Sequence, residues 1–405
     1  VVKFDYLYQE LQSLREQGLF RDPLTIDSVA GAAVRAKGKE YILFCSNNYL
    51  GLAGHEHITQ SVCEAVREYG FGAGASRLVC GTTSMHIELE ARLASMFARE
   101  AAMVLPAGFM ANEALLRTLP QKGDLVLLDK LDHASIIDAV TAGEATFKTY
   151  RRGGLDRVEE LLGRSEYNRK FIVTESVFSM DGDCADLREL VRLKEKYGAI
   201  LIVDEAHAVG CLGQSGAGLA QQLGVLGGVD IIVGTMSKAL AASGGFIAGP
   251  KVVIEYLVNK ARSYIYTTAL PIANCAAVNA AMDLVEQEPQ RRTRLADNSI
   301  MLREGLCRMG LNTGTSTTHI VPVIIGDAKE TVEVSRALFE KGFFISAIRP
   351  PTVGPASSRL RISLQSEHTK MQIESLLEAM ADLVGAGVLK PAQHRAYYHP
   401  AAFWP

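Results

Sequence analysis

The sequence predicts an α/β fold, with a large domain built on a mostly parallel sheet between helices and a small α+β domain joined to it. Three observations predict it: short apolar runs recur between longer helical patterns, the runs are continuous rather than alternating, and the pattern changes near Pro271. Continuous runs fit strands buried on both faces, as in a parallel sheet covered by helices. Strands that alternate with helices give the α/β architecture.

In chain order, Asp5 to Gln17 reads as a helix and Tyr41-Ile42-Leu43-Phe44 as a strand. The strand runs of the large domain are Ala102 to Leu105, Leu125 to Leu128, Phe171 to Val173, Ile200 to Val203, Ile231 to Val233 and Phe246 to Ala248. A long helical stretch runs from Ala273 to about Cys307, followed by strand patterns at His319 to Ile325 and Leu360 to Leu364, each ahead of a helix. The expected division is 1–48 as an amino-terminal segment packing with the small domain, 49–285 as the large domain, 286–395 as the small domain and 396–405 as a tail. The aromatic, proline-containing end from Ala392 to Pro405, with the only tryptophan, Trp404, reads as a docked or frayed terminus.

A chain of 405 residues exceeds the size of a single core, since cores stop growing at about 250 to 300 residues. The net charge of -3, with Lys/Arg and Asp/Glu interleaved, leaves no basic stripe for nucleic acid or an anionic membrane. No apolar run approaches the roughly 18 to 20 residues that span a bilayer, and the charged amino-terminal segment lacks the pattern of a secretory signal. A cytoplasmic protein acting on small molecules is therefore expected. Seven cysteines, none three residues from another, indicate free thiols rather than a disulfide framework or a zinc site.

In parallel sheets, sites assemble beyond the carboxyl ends of the strands, so the residues just after each apolar run are the candidates. Pro106-Ala107-Gly108-Phe109-Met110-Ala111-Asn112 opens a helix after a strand, where the amides of Gly108, Phe109 and Met110 can hold a phosphate. Asp132-His133-Ala134-Ser135 follows the next run, and the His133 imidazole can lie flat on a ring or simply start a helix. Thr174 to Asp183 is an acidic, hydroxyl-bearing loop in which Ser179 can reach the same ring. Asp204-Glu205-Ala206-His207 follows a fully apolar strand; a buried Asp204 needs a cation such as a pyridinium nitrogen, or caps a helix. Gly234-Thr235-Met236-Ser237-Lys238 ends the apolar run Val229 to Val233. An ammonium there is placed to form an imine with a carbonyl cofactor, although lysines after strands are commonly solvated charges.

Taken in this order, the motifs resemble those of the α-oxoamine synthases, pyridoxal phosphate enzymes of fold type I, and the similarity runs from about Phe44 to His368. The resemblance implies pyridoxal 5'-phosphate as an imine on Lys238, with Asp204 at the ring nitrogen, His207 and Ser179 near the ring hydroxyl, and His133 stacked on the ring. It implies Gly108, Phe109 and Thr235 around the phosphate, and a homodimer with interface active sites in which Thr268 reaches the neighbour's phosphate. Arg361 matches the family's substrate-carboxylate anchor, with Asn47 as a second contact. The implied reaction joins an amino acid to an acyl thioester, carried on coenzyme A or an acyl carrier protein, with loss of carbon dioxide.

Within the family, Gly72 to Gly81, Glu175 to Asp183, Thr267 to Pro271 and Ile348 to Val353 look most like the branch that uses L-alanine and a pimeloyl thioester in biotin synthesis. Arg21 is its candidate contact for the pimeloyl carboxylate. Asn47-Asn48-Tyr49 departs from that branch's usual Asn-Asp-Tyr, and Gly81 to Glu90 leans toward the branch that uses glycine and an acetyl donor. Serine with a palmitoyl donor is a third alternative. A non-catalytic subunit of a family heterodimer belongs to another class, and Lys238 argues against it. The glycines of Gly72 to Ser76 do not follow a strand, which disfavours a dinucleotide site, and His55-Glu56-His57 has the wrong spacing for a metal on one helix face.

Overall fold

The computed structural model describes residues 3–392, so the predicted tail lies outside the described residues from position 393 onward. The chain forms two compact units. The larger comprises Leu50–Ser179 and Cys184–Arg292, and the smaller comprises the chain up to Tyr49, Met180–Asp183 and the chain from Thr293.

The larger unit is built on a seven-stranded sheet in the order Ala101–Leu105, Gly245–Gly249, Ile231–Thr235, Ile200–Asp204, Lys170–Glu175, Leu125–Asp129, Thr146–Tyr150. Gly245–Gly249 runs antiparallel to both its neighbours and the other pairs are parallel. Apolar side chains from both sheet and helices, among them Leu115, Leu128, Ile136, Phe171, Ile202 and Ile247, form its core. The parallel strands end on polar residues close together, since Glu175 lies opposite Asp204 and Asp204 lies opposite Val233, with Thr235 just beyond it. Asp129, Glu175, Asp204 and Thr235 thus terminate four neighbouring strands at one edge of the sheet.

The helix Gly108–Leu116 starts hard against that edge. A Cβ at Gly245 would lie 2.5 Å from the Gly108 Cα, and a Cβ at Gly108 would lie 3.1 Å from the Thr235 Cβ. Glycine at 245 is what lets the helix terminus approach the strands this closely, and a side chain at 108 would crowd Thr235.

Two sequence expectations change here. The edge strand Thr146–Tyr150 exposes all but its last residue and so carries no continuous apolar run. The single helix expected from Ala273 to Cys307 is two helices, Ile272–Gln287 and Gln290–Arg308. Pro289 between them cannot continue a helix, since it lacks an N–H and its ring clashes with the preceding turn. The last stretch of the smaller unit begins at Thr293, beyond this break.

In the smaller unit, Ser358–Ser363 lies between Ile320–Gly326 and Ser346–Ile348 in one antiparallel sheet, and Lys39–Leu43 pairs antiparallel with Ala33–Ala36 and parallel with Phe343–Phe344 in a mixed one. The helices Ala328–Glu340 and Lys370–Gly385 complete it. Met180–Asp183 joins this unit because the Thr318 hydroxyl donates to the Gly182 carbonyl at 2.9 Å and Arg359 pairs with Asp181. No helix of the described residues is long and apolar enough to cross a membrane, and none of the seven cysteines is in a disulfide.

His368 ties the smaller unit together and makes it sensitive to acid. Its Nδ1 accepts the Gln365 backbone N–H at 3.0 Å, its Nε2 lies 3.0 Å from the Leu43 carbonyl, and its ring stacks on Phe44. This arrangement needs the neutral ring, because a proton on Nδ1 would face the Gln365 N–H. Burial pushes the imidazole down to about 4, partly opposed by the Leu43 bond. A depressed histidine contributes stability that is present above its ordinary value of 6.5 and is lost as pH falls toward 4. Denaturant titration is expected to give about 2 kcal/mol more loss between pH 7 and pH 5 in wild type than in His368→Gln. Equal losses would contradict this role.

Candidate active site

A cavity of about 270 Å³ opens at the polar edge of the large sheet, lined by Gly108, Phe109, His133, Glu175, Asp204 and Lys238 among others. A larger surface cavity of about 500 Å³, bounded by residues such as Glu113, Arg117, Lys122 and Lys260, contains none of the predicted site residues. The smaller cavity is the candidate site, because it gathers the chemistry.

Lys238 follows the strand Ile231–Thr235, and its Nζ lies 2.8 Å from His207 Nε2, a buried imidazole. Asp204 ends its strand almost fully buried; its Oδ2 accepts Asn112 Nδ2 at 2.8 Å and its Oδ1 accepts the Ala206 N–H at 2.9 Å. Both carboxylate oxygens are therefore held in place. Asn112 Nδ2 also donates to Ser135 Oγ at 3.0 Å.

His133 caps the helix Ala134–Thr141, with Nδ1 accepting the Ser135 backbone N–H at 3.2 Å. Burial, and secondarily Lys238, lower its affinity for a proton despite the opposing pull of Asp204. The ring is thus neutral, with its N–H on Nε2. Capping a helix and facing the cavity are one arrangement here, since the cap bonds fix the ring's orientation.

The helix Gly108–Leu116 begins at Ala107, which offers no side-chain cap. Its first-turn amides lack intrahelical acceptors, and the positive end of the helix favours an anion. Beside this terminus, Thr235 Oγ1 donates to the Gly244 carbonyl at 2.9 Å and lies 2.8 Å from Ser237 Oγ. An amine that forms imines, a fixed carboxylate, a neutral imidazole and an uncapped helix terminus beside hydroxyls suit pyridoxal phosphate, whose aldehyde, ring nitrogen, ring face and phosphate each need one of them.

The structure brings Gly108, Phe109, His133, Asp204, Thr235 and Lys238 to this cavity, with His207 bonded to Lys238. Met110, Ser179 and Thr268 do not line it; Thr268 is exposed and bridges Ser76 through its backbone. Sequence reasoning assigned no role to Asn112, Ser135, Glu175 or Ser237. For Asn112 a signal existed, since it lies four residues beyond Gly108 and so on the same helix face.

Arg361, Asn47 and Arg21 belong to the smaller unit. Arg361 is buried, with Nη1 donating to Asn47 Oδ1 at 3.1 Å and Ser363 Oγ at 2.7 Å, and Nη2 donating to the Tyr49 hydroxyl at 3.2 Å. Arg359 is occupied by Asp181 and the Ser357 carbonyl, as suits a structural residue. Arg21 donates to the Pro350 carbonyl at 3.1 Å, beside Arg349, which donates to the Gly18 and Phe20 carbonyls. Burial and the adjacent Arg21 charge both push Arg349 down. Neither arginine forms an ion pair with a carboxylate of the described residues, and sequence reasoning did not single out Arg349.

The aminotransferase class I and II profile matches residues 39–380. An 8-amino-7-oxononanoate synthase of Geobacter sulfurreducens is 44% identical over 375 residues, which covers 92% of this chain and 96% of that one. A solved serine palmitoyltransferase of Sphingomonas wittichii has a TM-score of 0.90 at 33% identity, covering 96% of this chain and 99% of its own. A serine palmitoyltransferase with a pyridoxal phosphate internal aldimine matches with the same figures. On matches of this length, the chain belongs to the aminotransferase class I and II family, among its α-oxoamine synthases.

Proposed function

We propose that this protein condenses L-alanine with a pimeloyl thioester, with loss of carbon dioxide, to give 8-amino-7-oxononanoate in biotin synthesis. The observation that carries the reading is the 44% identity to a synthase of that name across 92% of the chain. The cofactor is pyridoxal 5'-phosphate, and the working form is a cytoplasmic homodimer in which Thr268 contributes to the neighbour's site.

Bound in the cavity, the cofactor supplies an electron-withdrawing ring that lets an amino acid's α-carbon lose a proton. Lys238 would hold it through its amine and would serve as the base for that proton, with His207 orienting its Nζ. Asp204, fixed by Asn112 and Ala206, presents a negative charge that keeps the ring nitrogen protonated. The first-turn amides at Gly108 and Phe109, with the Thr235 and Ser237 hydroxyls, would hold the phosphate. His133, which lines the cavity with Nδ1 held by the Ser135 N–H, would stack on the ring and could offer its Nε2–H to a substrate oxygen. Arg361 grips the amino acid carboxylate at two points, supported by Asn47 and Tyr49.

Arg21 and Arg349 favour a dicarboxylic donor over an acetyl or palmitoyl one. Two adjacent guanidiniums held by backbone carbonyls repel each other until an anion joins them, and the free carboxylate of a pimeloyl chain is such an anion. The test is carbon dioxide release with alanine, glycine and serine crossed against pimeloyl, acetyl and palmitoyl thioesters, on coenzyme A and on carrier protein. Alanine with pimeloyl is expected to win, and Arg349→Ala is expected to raise KM for that donor by roughly 10- to 100-fold while leaving acetyl transfer unchanged. Glycine with acetyl winning, or equal effects of Arg349→Ala on both donors, would overturn the substrate assignment.

A further inference from the structure

Glu175 is a buried acid in the cavity that the reaction above leaves unused. It ends the strand Lys170–Glu175 directly opposite Asp204 on the neighbouring parallel strand, so the two side chains leave the same face of the sheet. Both line the cavity, at 3% and 6% exposure. Their surroundings differ. Asp204 has a hydrogen-bond donor on each oxygen, whereas the Glu175 carboxyl receives the His133 backbone N–H and its Oε2 is buried with no partner among the described residues.

The groups around Glu175 are Asp204 on one side, Asp132 on the other with Asp129 and Tyr150 beyond it, and the cations Lys238 and Arg152. Two carboxylates side by side in a low-dielectric pocket cannot both ionise cheaply. The proton goes to the member with fewer donors. We propose that Glu175 is a positioning residue that carries the proton of the Glu175–Asp204 pair, so that one negative charge, that of Asp204, faces the cavity and Glu175 Oε2 offers its hydroxyl to the group bound there. This rests on the pyridoxal phosphate part of the proposed function and not on the identity of the acyl donor.

Burial, and then Asp204, push the Glu175 carboxyl up to about 8, against the pull of Lys238 and Arg152. An acid raised in the folded state contributes stability that is lost as pH climbs from its ordinary value of 4.5 toward 8. Glu175→Gln keeps the shape and a neutral donor while removing the titration. The test compares this variant with wild type in two ways, by thermal unfolding of the cofactor-free proteins from pH 5 to 9 and by fluorescence titration with pyridoxal phosphate at pH 6.5 and pH 9.

Wild type is expected to lose stability relative to Glu175→Gln steadily as pH rises through that window. The two are expected to bind pyridoxal phosphate within about twofold at pH 6.5, with the variant roughly tenfold tighter at pH 9, where wild type carries a second anion in the pocket. A stability difference that does not change with pH would overturn the proposal. So would a variant that binds more than about tenfold weaker at pH 6.5, since the charged carboxylate would then be the working form. The stability arm is read without cofactor or thioester, so failure here is distinguishable from failure of the proposed function.

Discussion

Replacing Lys238 with alanine is expected to lower turnover by roughly 10⁴-fold or more while leaving the fold intact. On the proposed function the lysine combines two roles, covalent holder of the cofactor and base, and no other amine lines the cavity among the described residues. Fold should survive, since Lys238 is only half-buried and the strand before it is packed independently of its side chain. The uncapped terminus of Gly108–Leu116 and the Thr235 and Ser237 hydroxyls remain, so the variant should still bind pyridoxal phosphate, more weakly and without the imine absorbance. Steady-state turnover and the visible spectrum check both statements. A colourless variant that turns over at the wild-type rate would remove Lys238 from the mechanism.

Asp204→Asn is expected to cost about 10²- to 10³-fold in turnover, the scale of losing one preorganised electrostatic contact. The reason lies in its two donors. Asn112 Nδ2 and the Ala206 N–H each point at a carboxylate oxygen, and an amide can accept only one of them. The other donor is left facing an NH₂ group in a buried site, a penalty of about 1 to 3 kcal/mol that adds to the loss of charge at the ring nitrogen. Turnover and cofactor affinity should therefore fall together. Unchanged turnover in Asp204→Asn would deny the carboxylate its assigned part.

The polar edge of the large sheet was legible in the sequence because parallel strands announce their ends. Three runs stop at Asp129, Thr174 and Asp204, and the positions just after the runs drew attention to Asp204, Lys238 and the Gly108 turn, whereas Thr235 came with the family resemblance. What supports them was not. Asn112 and Ser135 orient Asp204 and His133 through contacts between two helices, which no local periodicity encodes. The Arg21 and Arg349 cluster joins positions more than three hundred residues apart, and the allegiance of Met180–Asp183 to the smaller unit depends on Arg359 and Thr318 far along the chain. The exposed edge strand Thr146–Tyr150 was missed for the opposite reason, since little of it is buried. The break at Pro289 was visible in the sequence and outweighs the helical pattern on either side of it.

The central claim is that Lys238 anchors pyridoxal phosphate in a pocket made by these strand ends. Borohydride reduction of the cofactor-loaded protein, followed by proteolysis and mass mapping, tests it most directly. The peptide that contains Lys238 is expected to carry the reduced adduct at about one per chain. An adduct confined to another lysine, or none on a protein that has bound the cofactor, would contradict the account.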